Sequence, residues 1–147
     1  MKKIRWLLII LLITSVATVL LVVAFYHKQE HMILTKKFYI SINKEINISY
    51  FENNNSDNPY CYAALKVNDQ EYIKILHDME KADYYIFKDF NELYLQRHNN
   101  WMNSKNIVQA YVMDTVEYSF ISGHRVHIYI FITDSQNGYR DIYMLRN

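Results

Sequence analysis

The stretch Leu7–Tyr26, LLIILLITSVATVLLVVAFY, decides how the rest of this sequence is arranged. It contains twenty residues and no charged side chain. At a rise of about 1.5 Å per residue, a helix of this length measures roughly 30 Å, the thickness of the hydrocarbon core of a bilayer. The stretch therefore predicts a transmembrane helix, and the remaining residues are expected to work beside a membrane.

A cleavable signal peptide is the alternative to a retained anchor. Lys2, Lys3 and Arg5 precede the apolar stretch, and either Ser15-Val16-Ala17 or Val22-Val23-Ala24 offers a cleavage site that ends in a small residue. Signal peptides carry an apolar run of only about 7–15 residues, and this run is longer. Its length favours an anchor that stays in the membrane.

The flanking charges predict the orientation of this anchor. Three basic residues precede it within the first five positions, whereas the basic residues beyond it lie among Glu30 and polar residues. Lys and Arg near a membrane span are enriched on the cytoplasmic side, which favours a cytoplasmic N-terminus. We therefore predict a single-pass protein of the cytoplasmic membrane of a bacterial envelope, with its C-terminal domain in the periplasm or outside. The predicted division is a cytoplasmic tail at 1–6, a transmembrane anchor at 7–26, a juxtamembrane segment at 27–37 and an extracytoplasmic domain at 38–147.

Composition limits the classes of function. Without the three N-terminal bases, the 16 Lys and Arg fall to 13 against 15 Asp and Glu, so the rest of the chain carries about −2. This balance argues against nucleic-acid binding, which needs a concentrated basic surface. The two glycines are isolated, which excludes a glycine-rich phosphate loop. The one cysteine, Cys61, forbids an internal disulfide and is expected to be a small buried residue.

Two histidines after the anchor stand at helical spacing. His27 and His31 would share one face of a helix that continues the anchor. No third ligand lies nearby in the sequence, so we predict solvated side chains at the level of the lipid headgroups. No metal site and no cofactor are predicted.

The first half of the domain predicts strands separated by a loop and a helix. Alternation of apolar and polar residues favours one long strand over Phe38–Tyr50, with a three-residue turn at Asn43-Lys44-Glu45 as the alternative. A second strand follows at Tyr60–Val67. A short strand is predicted at 84–87. Residues 89–105 favour a short helix, although part of this segment would also suit a strand.

The helix between these strands has the clearest boundary. Asn68 and Glu71 form a capping box at its start, and it is predicted to end at Lys81. Its predicted apolar stripe consists of Tyr72, Ile73, Leu76 and Met79.

The last third predicts three successive antiparallel strands, Ile107–Phe120, His124–Asp134 and Tyr139–Leu145. The two glycines fit the third position of three-residue hairpin loops, Ile121-Ser122-Gly123 and Gln136-Asn137-Gly138, where a left-handed conformation is common. The predicted pairs are Val112–Ile132, Val116–Ile128, Tyr118–Val126, Ile132–Ile142 and Ile130–Met144. Asp114, placed opposite Ile130 on the apolar face, is the one misfit.

Together these elements predict an α+β fold. An N-terminal transmembrane helix precedes a small antiparallel sheet or partly closed barrel with one or two helices, ending in a three-stranded meander.

The other face of this meander is rich in aromatic side chains with polar tips. The predicted register places five candidate residues on it: Tyr111, Met113, Tyr129, Phe131 and Tyr143. Aromatic residues and Met are enriched at binding surfaces, so we predict that this face binds a partner or ligand. Packing as a second core layer is the alternative.

Catalysis has weaker support. The register sets Glu117 opposite His127, an acid–histidine pair of the kind that many catalytic sites contain. It places no serine or cysteine nucleophile beside the pair, and His124 lies on the other face from His127. A structural cross-strand pair is therefore favoured, no catalytic residue is predicted, and the protein is not expected to be an enzyme.

The sequence leaves three hypotheses about function. The favoured one is a membrane-anchored accessory or sensor module that engages a partner membrane protein, with a small apolar ligand as an additional candidate. An envelope immunity or inhibitor protein that neutralises a toxin or hydrolase is the second, and a small envelope enzyme is the third. The plan of one anchor and a small antiparallel domain resembles both of the first two classes in outline only.

The predicted orientation can be tested with a reporter fused after Asn147 that is active only outside the cytoplasm. We expect an active fusion that sediments with the membrane fraction, because the basic N-terminus holds the short tail inside. Release of a soluble, shortened protein would instead support the signal peptide.

Overall fold

The structure, a computed structural model, describes residues 2–55, 59–88, 102, 107–118 and 123–147. These residues form two helices, α1 (Lys2–Phe38) and α2 (Asp69–Lys81), and six strands. The strands are β1 (Asn47–Asn54), β2 (Tyr60–Asn68), β3 (Tyr85–Ile86), β4 (Ile107–Tyr118), β5 (Gly123–Thr133) and β6 (Tyr139–Arg146). They pair in antiparallel fashion in one open sheet, in the order β1-β2-β6-β5-β4-β3. The predicted α+β class is confirmed, and the sheet is the open one of the two predicted alternatives.

α1 is one continuous helix of 37 residues that contains the predicted anchor. Among the described residues it is the one helix long and apolar enough to cross a membrane, and none of its most apolar stretch is buried within the protein. At 1.5 Å per residue it measures about 55 Å, so it is longer than a bilayer core requires.

The last turns of α1 belong to the core of the domain. Leu34 and Phe38 are fully buried. The helix ends at Tyr39, whose φ of 55° lies in the left-handed region that commonly terminates helices. The strand predicted over Phe38–Tyr50 is therefore wrong at its start, since Phe38 is helical and β1 begins only at Asn47.

The linker between α1 and β1 carries part of the apolar alternation that predicts this strand. It contains a turn, in which the N–H of Ile46 donates to the carbonyl oxygen of Asn43 at 3.1 Å, at the position of the alternative turn Asn43-Lys44-Glu45. Its three buried isoleucines are Ile40, Ile42 and Ile46. The linker hydrogen-bonds to helices, because the N–H of Ile42 donates to Thr35 Oγ1 at 3.1 Å and that of Ser41 donates to Asp78 Oδ2 at 2.8 Å. Burial of Ile40, Ile42 and Ile46 thus needs no neighbouring strand.

His31 contradicts the prediction of a solvated histidine. Its side chain is 3% exposed, and its Nε2 donates to the carbonyl oxygen of Ile46 at 3.0 Å. The sequence could not indicate this contact, because it depends on how the linker folds back along α1. The side chain of His27 lies outside the described part of the chain.

α2 begins as predicted. Asn68 caps it and forms the capping box with Glu71 through hydrogen bonds of 3.0 and 2.8 Å. The buried stripe is rotated from the predicted one, since Ile75 is buried and Ile73 is 66% exposed. The helix packs on the sheet through Tyr72, Ile75, Leu76 and Met79.

The β5–β6 hairpin has the predicted register, although its turn differs from the predicted one. Asn137 and Gly138, with φ values of 55° and 77°, form a two-residue turn between the bridged residues Gln136 and Tyr139. The predicted three-residue loop is therefore wrong. Between this bridge and the next pair, Ile132–Ile142, the β5 side has three residues and the β6 side has two. The extra residue on the β5 side compensates for the shorter turn, so that Ile132–Ile142 and Ile130–Met144 pair as predicted.

The predicted β4–β5 register is wrong by three residues. Tyr118 pairs with Gly123, so Gly123 opens β5 and the connecting loop comprises 119–122, which lie outside the described residues. Val112 pairs with Tyr129 and not with Ile132. Because side chains alternate along a strand, an odd shift moves every β4 side chain to the other face relative to β5.

The sheet buries side chains on both faces. The helix face, covered by α1 and α2, includes Leu65, Ile128, Ile130, Ile142 and Met144. The opposite face buries Ala64, Met102, Ala110, Phe131, Tyr143 and Leu145. Met102 is the one described residue of the segment 89–105, so the helix predicted there lies outside the described residues.

Gly138 offers a test of the hairpin. No atom lies within 4 Å of a Cβ built on it, so a substitution there is strained by its φ alone. Gly138→Val should lower the free energy of unfolding by about 1–2 kcal/mol, measured by chemical unfolding of the full chain in detergent. Gly138→Asn is the matched control and should cost less, because Asn tolerates the left-handed region. Equal stability of the Val variant and the wild type would contradict this turn.

Candidate functional site

The five predicted binding residues do not share one face. Tyr129, Phe131 and Tyr143 lie on the opposite face, as neighbours across β5 and β6. Tyr111 and Met113 pack against the helix-face core. The separation follows from the β4 register, which was predicted three residues away from the observed one.

Phe131 and Tyr143 form a second core layer. They are 0% and 5% exposed, and they pack with Ala64, Ala110 and Leu145. Tyr129 is only half-buried at the border of this layer, where its ring lies parallel to that of Phe131 with centroids 6.4 Å apart. Of these three side chains, Tyr129 is therefore the one in contact with the surface.

Tyr111 lines a cleft between α2 and the sheet, together with Leu76 and Tyr84. Burial raises the pKa of Tyr111. Glu80 and Asp83 also line this cleft, so its wall is mixed in polarity. That composition does not favour the small apolar ligand predicted from the sequence.

A chain of polar side chains begins beside Tyr129 and runs across three strands. Asp114 lies opposite His127, and the Nδ1 of His127 donates to Asp114 Oδ1 at 2.6 Å. The hydroxyl of Tyr85 donates to the other carboxylate oxygen at 3.0 Å. The side chains of Asp114 and His127 are 55% and 48% exposed. A tyrosine, an aspartate and a histidine are thus joined at the surface of β3, β4 and β5.

The same row continues over the other three strands. His127 and Asn147 exchange backbone hydrogen bonds of 3.1 Å, and Asn147 Oδ1 accepts from the hydroxyl of Tyr62 at 2.9 Å. The ring of Tyr60 stacks on that of Tyr62 with centroids 4.8 Å apart. The hydroxyl of Tyr60 donates to Glu52 at 2.5 Å. All six strands, or the residue directly after one, therefore contribute to one band, which we call the distal strip: Glu52, Tyr60, Tyr62, Tyr85, Asp114, His127 and Asn147.

The distal strip lies at the end of the sheet remote from the apolar part of α1. His31 contacts Ile46, just before β1, whereas Lys37 Nζ donates to Asn55 Oδ1 at 2.8 Å, just after β1. α1 thus passes along the sheet in the direction of β1, and its earlier residues project beyond the start of that strand. The strip occupies the other end, which includes Glu52 near the end of β1.

Hydrogen bonds set the ionisation of the strip. The bond from His127 lowers the pKa of Asp114, and the bond from Tyr50 lowers that of Glu52. The tyrosines respond in the opposite sense, since the carboxylate acceptor of each raises the pKa of Tyr60 and Tyr85. The strip therefore presents ionised carboxylates whose partners are neutral phenols.

The strip contains one acid–histidine pair. Asp114 orients one ring nitrogen of His127, as in many acid–base pairs, but no serine or cysteine of the described residues lies on the strip. Cys61 lies on the helix face, fully buried, and burial raises the pKa of its thiol to about 11. No group of three or more His, Cys, Asp or Glu in the described part of the chain could hold a metal ion.

The predicted pair Glu117–His127 is also wrong, because the β4–β5 register differs from the predicted one by three residues. Glu117 lies opposite His124 and forms an ion pair with Arg146, a buried residue of β6. The hydroxyl of Tyr39 also approaches Glu117, at 3.4 Å. Glu117 therefore helps hold the end of α1 on the sheet.

Tyr85, Asp114 and His127 were not assigned to one site from the sequence. One signal was present, because Asp114 was misplaced opposite Ile130 on the apolar face. The observed register removes that misfit by placing the carboxylate on the exposed part of the opposite face, where His127 is its partner.

Comparison of the chain with protein-family models, with curated proteins and with solved structures finds no match.

The Asp114–His127 pair predicts a pH dependence. The carboxyl pKa of Asp114, measured by NMR titration, should rise in His127→Leu and rise less in Tyr85→Phe, because the histidine has the larger effect. Since the folded pKa lies below the unfolded one, the contribution of the pair to stability is present above the unfolded pKa and is lost as the pH falls through the folded value. An unchanged Asp114 pKa in His127→Leu would show that the pair does not form in solution.

Proposed function

We propose that this protein is a membrane-anchored binding module whose distal strip engages a protein partner at the same membrane. The observation that carries the proposal is the strip itself. It crosses all six strands at the surface, and it lies at the end of the domain away from the apolar part of α1.

The composition of the strip supports binding to a protein. Tyrosines supply large ring surfaces with few rotatable bonds, and they are enriched where proteins meet. Tyr60, Tyr62 and Tyr85 each donate a hydroxyl hydrogen bond to a neighbouring side chain. Their orientations are therefore set before a partner arrives, which reduces the entropy lost on binding.

The charge of the strip favours a cationic partner. Glu52 and Asp114 place carboxylates beside tyrosine rings, and both groups attract Lys or Arg side chains. We propose a partner that presents Arg or Lys to the strip. Repulsion should then make charge reversal at Asp114 more damaging than removal of its charge.

The proposed location is the cytoplasmic membrane of a bacterial envelope, with the N-terminus inside and the domain outside. The three bases before the anchor support this orientation. In that arrangement the strip points away from the bilayer, toward soluble domains of neighbouring proteins.

Site-specific photocrosslinking in cells can test the proposal without knowledge of the partner. A photoreactive phenylalanine analogue at Tyr85, which is 52% exposed, should give one discrete adduct with another protein. The same analogue at Ile73, 66% exposed on α2, is the matched control and should give none.

Charge reversal supplies the second arm of this experiment. Asp114→Arg should abolish the adduct at Tyr85, because an added cation repels the proposed partner, and Glu80→Arg on α2 should leave it unchanged. Circular dichroism checks that both variants are folded. An adduct that appears equally at Ile73, or that survives Asp114→Arg in a folded protein, would contradict the distal strip as the binding surface.

A further inference from the structure

The β5–β6 hairpin lies at the end of the sheet from which the apolar part of α1 leaves the domain. Its position relative to a bilayer rests on the proposed function, in which α1 is the membrane anchor. The apolar stretch ends at Tyr26, and His31, five residues later, contacts Ile46 at the start of β1. Five helical residues span about 7.5 Å, so the start of β1 lies close above the end of the membrane segment.

The hairpin extends beyond the start of β1. Asn47, the first residue of β1, pairs with Lys66, and Lys66 pairs with Asp141. From Asp141 the strand continues to the turn at Gly138, three residues away, which is about 10 Å at 3.3 Å per residue. The turn thus reaches roughly the level at which α1 emerges from the hydrocarbon core.

That level is the zone of the lipid headgroups. A bilayer of about 40–45 Å with a core of about 30 Å leaves about 5–8 Å of headgroups on each side. The start of β1 lies about 7.5 Å above Tyr26, and the hairpin extends about 10 Å from the start of β1 toward the level of Tyr26. These two lengths are similar. The hairpin turn therefore reaches the inner edge of the headgroup zone when α1 spans the bilayer.

The side chains at the hairpin suit that environment. Tyr139 is 48% exposed, and Lys66 Nζ lies 5.4 Å from the centroid of its ring. Tyrosine and lysine, each with an apolar part and a polar tip, are typical of membrane interfaces. The turn residues Gln136, Asn137 and Gly138 carry no charge.

The charges around the turn occur in both signs. Asp134 and Asp141 line the same surface hollow as Lys66 and Tyr139, and Arg140 lies 4.0 Å from Asp134. A surface of this kind matches a headgroup that carries both a phosphate and an ammonium group. A bilayer of net negative charge attracts polybasic segments. The mixed charges around the turn do not provide one.

We propose that the β5–β6 hairpin, through Gln136–Tyr139 and Lys66, rests on zwitterionic phospholipid headgroups as a second membrane contact of the domain. This contact fixes the tilt of the domain on α1. It thereby directs the distal strip away from the bilayer.

Fluorescent labels at engineered cysteines can measure this contact in the full chain. The native thiol of Cys61 is fully buried and its pKa is raised to about 11, so maleimide dyes should label Gln136→Cys selectively. The protein is reconstituted in phosphatidylcholine vesicles that contain a lipid with a nitroxide on its headgroup. Tyr26→Cys reports the level of the interface, and Val116→Cys, 44% exposed at the distal end of β4, is the matched control.

We expect the nitroxide lipid to quench most of the fluorescence at position 136, to an extent comparable with position 26, and to leave position 116 bright. Addition of phosphatidylglycerol should not increase quenching at position 136. Tyr139→Glu should reduce it, because a carboxylate replaces the interfacial ring. Circular dichroism shows whether this variant is folded, and Lys66→Glu provides a second variant if it is not.

The possible failures are distinguishable. Strong quenching at position 26 with none at position 136 would overturn the hairpin contact and leave the anchor intact. Absence of quenching at both positions would instead contradict the membrane anchor itself. Quenching at position 136 only in vesicles with phosphatidylglycerol would overturn the assignment to zwitterionic lipid.

Discussion

The pairing of Tyr118 with Gly123 determines what each face of the sheet presents. Because side chains alternate along a strand, this one pair decides the face of the β4 side chains from Gln109 onward, beyond the bulge that follows Ile107. It sets Met113 against Ile128 in the core and Asp114 beside His127 at the surface. A register shifted by one residue would bury the carboxylate without a partner, at a cost of several kcal/mol. The exposed carboxylate and the continuous core are two results of one constraint.

The features that could be predicted depend on residues that are close together in the sequence. The start of α2 could be predicted from Asn68 and Glu71, because a capping box needs only two residues three positions apart. The turn at Asn137-Gly138 is likewise visible, although its length was predicted as three residues and is two. The register at Ile132–Ile142 was predicted nevertheless, because the apolar face of β5 and β6 requires it.

The features that could not be predicted depend on residues distant in the sequence. The 119–122 loop contains no glycine that would reveal its length, so the position of β4 could not be deduced from it. Phe38 and Ile40 alternate as in a strand, yet they end a helix and begin a linker, since burial alone cannot distinguish the two. His31 is buried and bonds to the carbonyl oxygen of Ile46, which lies 15 residues away in the sequence. None of the five residues predicted to bind belongs to the distal strip, although Tyr129 lies beside it, because the strip depends on the pairing of strands that are distant in the sequence.

The continuity of α1 has a mechanical consequence. No glycine or proline occurs between Lys2 and Phe38, and these residues are the usual causes of a kink. Leu34 and Phe38 clamp one end of this rod in the core, while the apolar stretch forms the rest. In the proposed function, a torque that a bound protein applies to the domain would be transmitted to the apolar stretch through this helix without a kink.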